Sequence, residues 1–145
     1  MRRLFGAVFC MTALLVHSPA TLAHAPFKKG LQKKYDFKSV SCYTCHARKA
    51  DIAAKDLDDF ARNSRSFRNS FGSQLSKLLA GKNTTQRLMD VKKLDLDDPK
   101  KIKVINDVTS DFLEALKKVE LVKSPSGPTY GELLKMGILA GVKSK

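Results

Sequence analysis

The run Cys42-Tyr43-Thr44-Cys45-His46 concentrates the reactive side chains of a chain that has three cysteines and three histidines in 145 residues. Two thiols three positions apart lie on one turn of backbone, and an imidazole follows directly. Cys-x-x-Cys-His with that spacing is the attachment signature of a c-type haem. Each thiol can add to one vinyl group of the porphyrin, and the histidine is then held under the iron as its proximal ligand. The motif occurs once, so it implies one covalently attached haem c, held by Cys42 and Cys45 with His46 on the metal. Three other chemistries use part of the pattern. A zinc site needs two further Cys or His ligands, and after export the chain would offer only His24. A thiol-redox pair normally opens a helix within a βαβ unit, and no such strand pattern is visible. A disulfide would close a very short loop and leave His46 without a role.

The second axial ligand decides what such a haem does. Histidine on one side and methionine on the other give a high-potential electron-transfer centre, whereas an open distal side binds small gases or supports chemistry. Met89 follows the motif and precedes the longest helical pattern. That order resembles the class I cytochromes c and makes Met89 the first candidate, although a Met on an amphipathic helix is also ordinary core filling. Met136, beside Gly137, and His24, at or next to the mature N-terminus, are the alternatives. Arg62, Arg65 and Arg68, with Arg48 and Lys49 upstream, are the one cluster that could serve catalysis over an iron. A solvated basic face explains them as well, so no catalytic residues are expected.

These residues need elements to position them. Residues 26–35 read as a short basic helix with Phe27, Leu31 and Tyr35 on one face. Residues 50–61 read as a second, with Ala53, Leu57, Phe60 and Ala61 as its stripe, followed by a polar loop over 63–68. Residues 69–80 form a stronger amphipathic pattern through Phe71, Leu75, Leu78 and Leu79, with Gly81 as C-terminal cap. A modest helix over 84–94 turns Leu88 and Val91 inward. Asp98 and Pro99 are an N-cap and first-position pair for a helix to about 121, along which Ile102, Ile105, Thr109, Phe112, Leu116 and Val119 recur. The segment 124–128 is a breaker, 129–136 a last short helix, and 137–145 is expected to fray. Gly72 and Gly131 each follow an aromatic inside a helical pattern, which points to close approach of another helix or of the haem plane. No alternating strand pattern of useful length is present. The expected fold class is all-α: a small cytochrome c-like helical domain of four to six helices around one covalently bound haem.

The N-terminus reads as an export signal. Arg2 and Arg3 precede a largely apolar run from Leu4 to Val16, Ser18-Pro19 breaks it, and small residues follow. Cleavage after Ala23 is expected, with Ala25 as the alternative, giving 1–23 as signal and 24–145 as one domain. The apolar run is shorter than the roughly 20 residues a membrane-spanning helix needs, so no stable membrane insertion is expected, and the compartment is the periplasm or its equivalent. Cys10 would leave with the signal. Without Arg2 and Arg3 the 27 basic residues fall to 25, and against 14 acidic residues the mature net charge is +11. With no Trp and no binding motif, a nucleic-acid partner is not expected. Such a field speeds encounter with acidic partners, and an acidic docking face on a redox partner protein would suit it.

Four segments together resemble a known family: Phe27-Lys28-Lys29 to Tyr35, Cys42-Tyr43-Thr44-Cys45-His46, Arg68-Asn69-Ser70-Phe71-Gly72 with Leu78-Leu79, and Ser126-Gly127-Pro128-Thr129-Tyr130-Gly131. In that order they look like the small exported single-haem c-type cytochromes of planctomycete-type bacteria. The resemblance implies haem binding and electron transfer. Some relatives of that family use His/Cys ligation, which does not carry over, because no third cysteine remains in the mature chain. The expected function is one-electron transport by an exported mono-haem protein that is not an enzyme. The alternative is a gas-binding or sensing haem protein with an open or displaceable distal ligand.

Overall fold

Asp98 accepts hydrogen bonds from the amides of Lys100 and Lys101, and Pro99 stands at the first helical position, so the longest helix starts where local capping dictates. It is the axis of the computed structural model, which describes residues 25–145. The expected signal, Cys10 and His24 lie outside those residues. The chain runs α1 (Ala25–Tyr35), β1 (Ser39–Val40), α2 (Leu57–Asn63), α3 (Ser70–Leu79), α4 (Thr84–Asp90), α5 (Pro99–Val119), α6 (Tyr130–Lys135) and β2 (Val142–Lys143). Helices α1, α3 and α4 all pack on α5. The fold is all-α, with one small two-stranded sheet. No helix among the described residues is long and apolar enough to cross a membrane.

The core joins Leu31 of α1, Phe71, Leu75 and Leu79 of α3, Phe112, Leu116 and Val119 of α5, and Tyr130 and Leu134 of α6. Phe27 stacks on Phe112, with ring centroids 4.5 Å apart. A side chain at Gly30 would meet that same ring at 3.3 Å, so a glycine there lets α1 lie close on α5. At the other end of the pair, the Glu120 carboxylate accepts from the Tyr35 hydroxyl and the Lys34 ammonium. Burial, then the Glu120 carboxylate, push the Tyr35 hydroxyl well above its ordinary pKa.

Several expectations are corrected by this packing. The stretch 50–61 is not one helix: Lys49–Asp51 and Ala54–Asp56 are separate 3₁₀ turns, and only Leu57–Asn63 is α-helical, with none of its residues buried. Its apolar side chains are small or spaced too sparsely to bury a face, and Ala53 and Ala61 are exposed. Leu78 is 40 % exposed; the fourth buried position of α3 is Gly72. Gly81 does not cap α3. The chain continues through a 3₁₀ turn, Ala80–Lys82, and the left-handed residue is Asn83, with φ 48°. On α5 the buried stripe includes Val108 and Ala115, while Ile102 is 45 % exposed. Residues 137–145 are tied down: Val142–Lys143 and Ser39–Val40 pair in an antiparallel ladder, Val40 opposite Val142, and the Ser41 amide donates to the Gly141 carbonyl at 2.7 Å.

Candidate functional site

Cys42, Tyr43 and Thr44 form a 3₁₀ turn capped by the Ser41 hydroxyl, which accepts from the Tyr43 amide. The Cys42 carbonyl accepts from the amides of both Cys45, at 3.2 Å, and His46, at 3.0 Å. Both thiols and the imidazole are thereby carried on one closed turn. Both cysteines are free thiols, Cys42 exposed and Cys45 partly buried. Burial pushes the Cys45 thiol up to about 11, against the opposing pull of Arg68.

The imidazole is oriented from behind. His46 Nδ1 lies 3.3 Å from the Phe67 carbonyl oxygen, which also accepts from the Ala47 amide at 3.2 Å. A carbonyl only accepts, so Nδ1 carries the hydrogen and the Nε2 lone pair is left for a metal. Burial, then the Arg68 charge, lower the His46 pKa, with the Phe67 carbonyl opposing and Arg65 adding to the drop. The neutral, ligating form is the favoured one.

Asn69 locks the turn onto α3. Its side-chain amide donates to the carbonyls of Tyr43 and Thr44, each at 3.0 Å, while its Oδ1 accepts from the Gly72 amide at 2.8 Å as the helix N-cap. Its backbone amide donates to the Cys45 carbonyl at 3.2 Å. One residue thus caps the helix and fixes both residues between the cysteines. Asn69 was expected as the first residue of the helix over 69–80 and as part of a family segment; its place just before the Phe71 stripe is also an N-cap signal. Gly72 completes the lock, since any side chain there would run into the Cys45 backbone.

A cavity of about 350 Å³ opens beside this turn, and Arg68 and Gly72 are part of its wall. Arg68 pairs with His46 in an isolated β-bridge, so the cavity shares a wall with the motif. Phe27, Leu75 and Leu79 give it apolar sides, and Met89 of α4 lines it as well. Met89, half-buried, lines this cavity, whose wall includes none of Cys42, Cys45 and His46 and meets the motif through Arg68 and Gly72. The structure does not bring Met136 there: that side chain is 55 % exposed, in a separate shallow depression with Pro128 and Glu132. Of the basic cluster, Arg68 and Arg65 bear on His46, while Arg62 pairs with Asp59 on the exposed face of α2. Among the described residues, no group of three or more His, Cys, Asp or Glu is placed to hold a metal ion.

The donor set fits a covalently held haem. Two thiols and an oriented imidazole sit on one turn, and the neighbouring cavity, with a thioether in its lining, mixes Phe27, Leu75 and Leu79 with Arg68, Asn83 and Gln86. The chain matches no protein-family model, no curated protein and no solved structure.

Proposed function

We propose that this chain is an exported mono-haem c-type cytochrome that carries one electron at a time. The observation that carries the reading is the turn from Cys42 to His46, with its imidazole held through Nδ1 by the Phe67 carbonyl. Cys42 and Cys45 would tether the porphyrin by thioethers, His46 would ligate the iron through Nε2, and Met89 would supply the distal sulfur from the cavity wall. A haem held between nitrogen and thioether sulfur supplies a one-electron couple of high potential. The protein's part is to fix both donors and to keep water from the apolar side of the ring. The mature charge of +11 would orient it toward a redox partner with an acidic face.

The absorption spectrum of the haem-loaded protein, oxidised and ferrous, with and without carbon monoxide, tests this reading. Electron transport predicts a low-spin ferrous spectrum that carbon monoxide leaves unchanged, and a methionine-to-iron charge-transfer band in the oxidised form. That band should vanish in Met89→Ala and survive in Met136→Ala. A high-spin ferrous spectrum that shifts at once with carbon monoxide would instead support gas binding at an open distal side.

A further inference from the structure

The helix that presents Met89 is seven residues long and buries two of them, Thr84 and Leu88. A helix so short does not hold itself in water, where about 12–15 residues are marginal. It is entered through the left-handed Asn83, whose side chain makes no capping hydrogen bond among the described residues. Its placement therefore depends on ties to other elements, and the strongest polar tie is to one carboxylate. Asp111, on the second half of α5, accepts from Arg87 Nη1 at 2.6 Å through one oxygen and faces Lys82 Nζ at 3.3 Å through the other. Lys82 precedes the left-handed residue and Arg87 follows it, so a single side chain ties the backbone on both sides of that bend. The Asp111 side chain is 19 % exposed, against 31 % for Arg87 and 45 % for Lys82, so the Arg87 contact is the better shielded half and the Lys82 contact the more screened by solvent. The outer partners, Asp107 at 3.8 Å from Arg87 and Glu114 at 3.9 Å from Lys82, make longer contacts. Two positions beyond Arg87, Met89 lines the cavity with Thr85 and Gln86.

We propose that Asp111 is a positioning residue: through Arg87 and Lys82 it clasps α4 so that the Met89 thioether is held at the cavity, and it thereby sets how readily the distal ligand is displaced. This rests on the reading of the chain as a haem protein with Met89 as distal ligand. A ligand on a mobile element leaves the metal in proportion to the population of the displaced conformer. Removing the clasp raises that population without touching the cavity wall.

The test uses the full haem-loaded protein and the variants Asp111→Asn, Lys82→Gln and Met89→Ala, with Lys103→Gln as an exposed control. Three quantities are read: the methionine charge-transfer band, the rate of carbon monoxide binding to the ferrous form, and amide hydrogen exchange over residues 84–90. The wild type should show the band, and Met89→Ala should abolish it. Asp111→Asn should then weaken the band, speed carbon monoxide binding roughly tenfold or more, the usual size of such couplings, and accelerate exchange in α4. Lys82→Gln, which keeps the Arg87 half of the clasp and guards against an Asp111 variant that fails to fold, should move all three in the same direction but less. Lys103→Gln should match the wild type. If Met89→Ala abolishes the band while Asp111→Asn and Lys82→Gln keep wild-type values, the clasp is overturned and the ligand assignment stands. If the wild type lacks the band and Met89→Ala changes nothing, the ligand assignment falls and takes the clasp with it.

Discussion

A methyl group on Gly72 would lie 1.9 Å from the carbonyl oxygen of Cys45. The first turn of α3 and the turn that carries the thiols are pressed together as closely as two backbones allow, and only a residue without Cβ permits it. Gly72→Ala should therefore push the motif off the helix. Relief by backbone shift costs about 1–3 kcal/mol or more, to be read as a lower denaturant midpoint and as reduced haem loading. Gly81→Ala is the contrast, because among the described residues nothing stands within 4 Å of a Cβ there and φ is not left-handed. That variant should be neutral or gain up to about 1 kcal/mol from a stiffer unfolded chain.

Asn69 separates capping from motif support. Asn69→Ala loses both functions and should cost at least the ~1 kcal/mol of an N-cap. Asn69→Asp keeps an acceptor for the Gly72 amide but removes the donor to the Tyr43 and Thr44 carbonyls. Amide exchange at the start of α3 should stay close to wild type in Asn69→Asp, while residues 42–46 exchange faster. Equal loosening of both segments would refute the division of roles.

Thr44 is fully buried, and its hydroxyl has no hydrogen-bond partner among the described residues. An unsatisfied buried hydroxyl costs about 1–3 kcal/mol. Thr44→Val keeps the branched shape and removes the orphan, so it should raise the unfolding midpoint. A loss of stability would mean that the hydroxyl is satisfied in solution.

Asp111 gives the fold a pH dependence of fixed sign. Its hydrogen bond from Arg87, reinforced by Lys82, holds the carboxyl below its ordinary pKa. A group with a depressed folded pKa stabilises above its unfolded value, near 4, and that contribution is lost as pH falls through the folded value. Wild-type stability should accordingly drop more steeply below about pH 4 than that of Asp111→Asn, measured by urea unfolding from pH 6 downward. Parallel curves would show that the pair adds nothing in solution.

The starts of α5 and α6 and the thiol motif were legible because their causes are local; the start of α2, read at residue 50 and found at Leu57, was not. Asp98 with Pro99, and Thr129 with Glu132, which form a reciprocal capping box at α6, satisfy their own helix ends within a few residues. What could not be read depends on partners far along the chain. Gly81 has the composition of a cap, but the chain turns left-handed two residues later at Asn83, next to the bend that Asp111 braces from α5. The segment 137–145 has no strand pattern of its own, yet it is ordered by β1, about a hundred residues upstream. The close approach signalled by Gly131 was met by the Glu120 backbone, where a Cβ would lie 2.9 Å from the carbonyl oxygen. The choice among Met89, Met136 and His24 was open in sequence because both methionines sit on short amphipathic segments; the structure places Met89 in the lining of the cavity that Arg68 and Gly72 share and Met136 in a separate depression.

Acid–organic extraction of the protein, produced in a host that attaches c-type haem during export, tests the central claim most directly. Haem held by Cys42 and Cys45 should stay with the polypeptide through denaturation and extraction. It should become partly extractable when either cysteine is replaced by alanine, and wholly so when both are. Haem that extracts completely from the wild type, or a wild-type chain that emerges without haem, would contradict the account.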